Sequence, residues 1–221
     1  MVALPDLRAV VFDYGMVISG PPDPESHRGL IEVLGVDPEI FESCYWQNRE
    51  QFDSGELDGP AFWHRVARDV SLVLSEQQIA RLLALDARMW MSINEPVLEW
   101  ARQLRAAGMK IAILSNIGDT QVTAMREQFG WLADFDHHTW SYELRTTKPE
   151  APIYLHTLEK LGVEPQQALF IDDRIVNVRG AEAVGMQAIL FTTLEQLTLD
   201  LKQRGFDRLL PLPTTHSTEA L

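Results

Sequence analysis

Cysteine is almost missing from this chain: Cys44 stands alone among 221 residues. A single thiol excludes an intrachain disulfide and any zinc or iron–sulfur cage built on cysteines. It also suits a reducing compartment, so a cytoplasmic location is expected. Basic residues are scarce as well. Thirty-two Asp and Glu against nineteen Lys and Arg leave a formal charge of −13, and an evenly acidic surface repels both phosphate backbones and anionic membranes. Neither a nucleic acid nor a membrane is expected as a partner; a small molecule is, bound by a monomer or homodimer. No apolar run reaches the ~18 residues of a spanning helix. The opening MVALPDLRAVVFDYG carries Arg8 and Asp13 within its apolar segment, unlike a secretory signal. Internal repeats and low-complexity tracts are absent too.

What is present is an ordinary globular composition, 46% hydrophobic and 23% charged, with enough apolar residues to bury a sizeable core. The length corresponds to about one and a half domains, which suggests one core with an insertion. Val10, Val11 and Phe12 read as a buried strand that stops at Asp13 and Gly15. Gly20, Pro21, Pro22 and Pro24 then break the chain, and from about His27 to Ile93 every periodic segment has helical spacing. Asp37 before Pro38 and Ser75 before Glu76 look like helix starts, and Gly55 and Gly59 like joints. After Pro96 helices and strands alternate: strands over 110–114, 135–140, 168–171 and 188–191 are separated by helices over 97–107, 120–129, 151–161 and 176–184, with a last helix over 194–203 and a loose tail from Pro211. This rhythm predicts an α/β fold, a doubly wound parallel sheet with helices on both faces. The expected division is a core of residues 1–20 and 94–221 with a helical insertion of residues 21–93.

In such a sheet the binding crevice lies at the carboxyl ends of the strands. Three strands end on Asp13, on Ser115-Asn116 and on Asp172-Asp173. Adjacent carboxylates ~4 Å apart repel by roughly 4 kcal/mol at an effective dielectric near 20, so either a proton is shared or a cation sits between them. A third carboxylate, Asp13, makes sharing insufficient. Oxygen donors with room for water suit Mg²⁺. The plain alternative is that Asp172 or Asp173 only caps the following helix. Asp13, beside a metal and deprotonated, is the candidate nucleophile for covalent catalysis through an acyl phosphate. Ser115-Asn116 enters a helix and can face an anion, while Lys148 before Pro149 supplies a fixed positive charge.

These segments together resemble the haloacid dehalogenase (HAD) superfamily across residues 8 to 200. VVFDYGMVIS is similar to its first motif, LSN to its second, Lys148-Pro149 in TTKPEAPIY to its third, and FIDDRIVNVRGAEAVGM to its fourth, in the same order. The resemblance implies a Rossmann-like core closed by a helical cap, and magnesium held by Asp13, the Gly15 carbonyl, Asp172 directly and Asp173 through water. It further implies Asp13 as nucleophile, Ser115 and the Asn116 backbone as phosphate binders, and Lys148 as the group that neutralises both nucleophile and phosphate.

One departure matters. HAD phosphatases usually carry a second aspartate two residues after the nucleophile, and this chain has Gly15. A general acid is worth roughly 10² to 10⁴ in rate, so the leaving group must be easily expelled or another group must donate. His27, Tyr14 and Asp53 are the candidates. An anomeric sugar oxygen eases the problem, and glucose-1-phosphatase-like members with a similar glycine make a sugar phosphate the expected substrate of a magnesium-dependent phosphatase. Two other readings stay open: a 2-haloacid dehalogenase, which also lacks the second aspartate but needs no magnesium, and a catalytically silent metabolite- or protein-binding relative. Tyr45, Trp46 and Phe52 are read as the insertion's own small core.

Overall fold

The computed structural model describes residues 6–214. Five strands, β1 (Ala9–Phe12), β2 (Lys110–Ser115), β3 (His137–Trp140), β4 (Ala168–Asp172) and β5 (Gln187–Leu190), form one all-parallel sheet in the order β3-β2-β1-β4-β5. Period-two alternation sorts their side chains onto two buried faces. Val10, Phe12, Ile113 and Ile171 pack against Trp100 and Leu104 of α5 (Glu95–Ala106), Val122 of α6 (Asp119–Gln128) and Leu197 of α10 (Leu194–Gln203). Ala9, Val11, Leu114 and Phe170 pack against Ile153 and Leu158 of α8 (Ala151–Leu161) and Val178 of α9 (Ile175–Ala183). A one-turn helix, α7 (Ser141–Leu144), follows β3. Apolar residues on both faces explain why the strands read as continuous hydrophobic runs rather than alternating ones. Phe12 is in register with Ile113 and with Ile171, so the residues that follow these three strands emerge at one edge.

Between Ser19 and Ile93, which pair as an isolated antiparallel bridge, the chain forms four helices: α1 (Pro24–Leu34), α2 (Pro38–Asp53), α3 (Gly59–Asp69) and α4 (Glu76–Met89). The Asp37 side chain accepts from Glu39 N, and Ser75 forms a capping box with Gln78, so both helix starts are built from side-chain oxygens that satisfy free N–H groups. The block has its own core of Leu30, Phe41, Tyr45, Phe52, Phe62, Trp63 and Leu82. It presses closely on the sheet's helices. A Cβ at Gly118 would lie 2.1 Å from the Phe52 ring, so only glycine permits that approach.

Three details differ from the sequence reading. The stretch Tyr14–Ile18, between β1 and the bridge at Ser19, is a wide helical turn with Met16 at φ 58°. The tail is not loose at its start: Pro211 O accepts from Trp100 Nε1 at 2.8 Å and Leu212 packs on the core, while residues 215–221 lie outside the described residues. Trp46 is exposed rather than part of the helical block's core. Among the described residues no helix is long and apolar enough to cross a membrane.

Candidate active site

The ends of β1, β2 and β4 deliver Asp13, Ser115 and Asp172 to the same edge. Lys148, in the loop before α8, reaches under them. Its Nζ lies 2.8 Å from Asp13 Oδ1 and 2.7 Å from Asp172 Oδ2, and all three side chains are buried. The lysine backbone is clamped by Asn116, whose Oδ1 accepts from Lys148 N at 2.7 Å and whose Nδ2 donates to Lys148 O at 2.9 Å. The Asn116 side chain is therefore committed to the lysine, and only its backbone is left for an anion. Ser115, Gly15, Lys148 and Asp173 line one cavity with Asp13.

Asp172 and Asp173 are placed differently. Asp172 accepts from Lys148, from Arg174 N at 2.8 Å, and from Asn177 Nδ2 at 3.0 and 3.1 Å on its two oxygens. Asp173 faces the cavity, and Asp172 does not line it. Asp172 still contributes an oxygen to the same three-acid cluster, and Asp173 is the acid of the pair that opens to the cavity. Asn177, on the first turn of α9, lines the same cavity and donates to Asp172. Its position on a sheet-facing helix gave no way to tell a packing residue from one that turns back onto Asp172.

The electrostatics call for more positive charge than Lys148 supplies. Oxygen atoms of Asp13, Asp172 and Asp173 lie within 4.8 Å of one another, facing the Lys148 ammonium, with the Arg174 guanidinium acting on Asp173 as a lesser contribution. Burial pushes the Asp13 carboxyl up to about 7, the Lys148 charge working against this and Asp172 reinforcing it. Burial also raises Asp173, with Asp172 adding to the effect. On Lys148 burial acts downward, but the attraction of Asp13 and Asp172 outweighs it and the ammonium is held charged. Hard oxygen donors with unbalanced negative charge and open space in front of them fit a hydrated divalent cation of the Mg²⁺ type.

The cavity, about 320 Å³, lies between this edge and the helical block. Arg49 and Asp53 of α2 reach its wall and pair at 2.7 Å. Behind them a buried chain of hydrogen bonds runs from Arg49 to Tyr45 (2.8 Å), from the Tyr45 hydroxyl to Asp86 (2.7 Å), and from Gln121 to Asp86 (2.8 Å). It ties α2 and α4 to α6. In the sequence Asp86 is a lone acid in the stretch RLLALDARMW. None of the three candidate proton donors is poised to act. His27 pairs with Glu42, the Tyr14 hydroxyl donates to Trp90 O at 2.6 Å, and Asp53 is held by Arg49.

Comparison with known proteins gives a consistent outline. A family model described as haloacid dehalogenase-like hydrolase matches residues 50–185, more than half of the chain. The sesquiterpene phosphatase astK of Aspergillus oryzae is 27% identical over 201 residues, covering 89% of this chain and 95% of its own length. A HAD family enzyme from Bacteroides thetaiotaomicron has a similar fold, with a TM-score of 0.71 at 20% identity over 84% of this chain and 94% of that one; it has also been solved with magnesium and inorganic phosphate. The L-2-haloacid dehalogenase from Xanthobacter autotrophicus gives a TM-score of 0.62 at 20% identity, over 97% of this chain and 92% of that one. At such identities the likeness to the two structures speaks of fold alone.

Proposed function

Because the chain belongs to the haloacid dehalogenase-like hydrolases, we propose that it is a magnesium-dependent phosphatase that hydrolyses a small phosphate monoester through an aspartyl-phosphate formed on Asp13. The observation that carries this reading is the Lys148 ammonium shared between Asp13 and Asp172, with Asp173 open to the same cavity. A relative named as a phosphatase over nearly its whole length supports it.

In this reading an Asp13 oxygen attacks phosphorus while the bond from phosphorus to the alcohol oxygen breaks, and the alcohol leaves with the bonding pair. Water then attacks the same phosphorus, releasing inorganic phosphate and restoring the carboxylate. Lys148 opposes the rise that burial imposes on the Asp13 carboxyl and balances charge on the phosphoryl oxygens. The Ser115 hydroxyl and the Asn116 backbone N–H bind those oxygens, and Asn177 with Arg174 N hold Asp172 so that it fixes the ammonium. Asp13, Asp173 and the Gly15 carbonyl are the groups that would hold magnesium, with Asp172 behind them; when bound, the cation supplies charge stabilisation for the transferring phosphoryl group. The four helices of residues 21–93 act as a cap that excludes water.

The test is phosphate release from p-nitrophenyl phosphate, whose leaving group needs no acid, with and without magnesium. Turnover is expected only with the metal, and Asp13→Asn is expected to abolish it; an active Asp13→Asn variant would refute covalent catalysis at this residue. The dehalogenase reading is favoured by Gly15 and opposed by the paired acids. Halide release from 2-chloropropionate without metal would establish it instead. A chain that releases neither product is a binding protein. Sugar phosphates, the expectation from sequence, enter as members of the substrate panel below.

A further inference from the structure

The cavity has two chemically different ends. At the sheet edge Asp13, Ser115, Lys148 and Asp173 face a phosphoryl group. The other end is walled by Tyr14, Met16, Trp46, Trp90 and Ile117, and the polar atoms there are largely spent. The Tyr14 hydroxyl donates to Trp90 O, Trp46 Nε1 donates to Glu42 Oε2 at 2.8 Å, and Arg49 and Asp53 neutralise each other. Among the described residues, the buried side-chain atoms of the cavity lining without a partner are Trp90 Nε1, Gln121 Oε1 and Asn177 Oδ1, the last on the residue that holds Asp172, and the Arg174 side chain lines the cavity next to Asp173. Asn177 and Arg174 flank the two acids at the phosphoryl end, which leaves the apolar wall with too few polar atoms for the several hydroxyls of a sugar, and each hydroxyl left unpaired there weakens binding by about tenfold.

The leaving oxygen meets the same shortage. Position 15 is glycine, the Tyr14 proton is directed at a backbone carbonyl, and Asp53 is clamped by Arg49. An alcohol oxygen must therefore depart without a proton from this wall, which suits an acidic alcohol such as a phenol far better than an alkanol. At the mouth, Trp46 and Met16 remain 54% and 41% exposed, apolar surface that a ligand seated in the cavity would cover.

Building on the phosphatase reading, we infer that the substrate is the monophosphate ester of an apolar aromatic alcohol, its ring seated against Trp46, Trp90 and Tyr14. Phosphorus passes from the aryl oxygen to Asp13. The bonding pair leaves on the aryl oxygen, which takes its proton from solvent, and water then splits the acyl phosphate as described above. The apolar wall supplies affinity in proportion to the ring area it covers.

The experiment compares kcat/KM of the full chain with magnesium for 2-naphthyl phosphate, phenyl phosphate and α-glucose 1-phosphate, with p-nitrophenyl phosphate as the reference. The naphthyl ester is expected to exceed the phenyl ester by about tenfold, their leaving groups being of similar acidity. Phenyl phosphate is expected to exceed glucose 1-phosphate by about a hundredfold or more. Trp46→Ala, with folding checked by circular dichroism, is expected to bring the naphthyl-to-phenyl ratio toward one, chiefly through KM. A glucose 1-phosphate rate equal to or above that of phenyl phosphate overturns the inference, as does a naphthyl-to-phenyl ratio near one in the parent or unmoved in the folded variant. In those cases turnover of p-nitrophenyl phosphate leaves the phosphatase reading standing. No turnover of p-nitrophenyl phosphate with magnesium defeats that reading, and this inference with it.

Discussion

Gly15 lies two residues after Asp13, the proposed nucleophile, with φ −60° and ψ 129°, a conformation that any residue adopts. A Cβ placed there would meet nothing within 4 Å. The glycine is thus not demanded by backbone geometry or by crowding, and in the proposed reaction its effect is chemical: it withholds a carboxylic acid from the leaving oxygen. Gly15→Asp is expected to fold as the parent does and to raise kcat on an alkyl phosphate by about 10² or more, with little change on p-nitrophenyl phosphate. Paired steady-state assays on the two esters check this, and an equal response of both would show that the new carboxyl does not protonate the leaving group. The same scale shows what a sequence can and cannot say of a residue. The meeting of Asp13, Ser115 and Asp172 at one edge was legible because each ends a strand, and the charge of Lys148 because it stands before Pro149 at the entry to a helix. Asn177, and which of Asp172 and Asp173 opens to the cavity, were not, because adjacent residues at the end of a strand diverge and only packing decides which one turns toward Lys148.

Helix α2 works on two faces at once. Tyr45 and Phe52 pack into the helical block's core, while Trp46, Arg49 and Asp53 reach the cavity. Successive residues on a helix point about 100° apart, so Tyr45 and its neighbour Trp46 go different ways. That pattern is visible in sequence only once the direction of the cavity is known. Asp86 on α4 is the centre of the contact between these helices and α6. Burial raises its carboxyl, and this outweighs the opposing pull of Arg49 and of the Tyr45 and Gln121 hydrogen bonds. A carboxyl that holds its proton more tightly when folded costs stability as pH climbs from the unfolded value of roughly 3.9 through its folded value. Asp86→Asn is neutral throughout and escapes that loss. The difference in unfolding free energy between variant and parent is therefore expected to move in the variant's favour between pH 4 and pH 7. Denaturant titrations at the two pH values measure it, and a shift in the opposite direction would mean that the network holds Asp86 ionised at a profit to the fold.

At the scale of the whole molecule, the sheet brings together residues as far apart in the chain as Asp13 and Asp173, and the concentration of negative charge at their meeting point is a cost that a bound cation would remove. Magnesium at about a hundred times its dissociation constant is expected to stabilise the parent by about 2.7 kcal/mol, seen as a rise in Tm, and Asp173→Asn is expected to lose most of that rise. An equal rise in both would place the cation elsewhere. The sequence alone determined the parallel α/β core, the helical insertion and the convergence of Asp13, Ser115 and Asp172 on one edge, because hydrophobic periodicity and strand-end chemistry are local properties of the chain. The tertiary structure alone decided how Asn116 seats Lys148, which acid of the pair faces the cavity, and which aromatic side chains line it. Those depend on side chains that meet across long loops, and their orientations are set by packing and by competition for hydrogen-bond partners, which no spacing along the chain encodes.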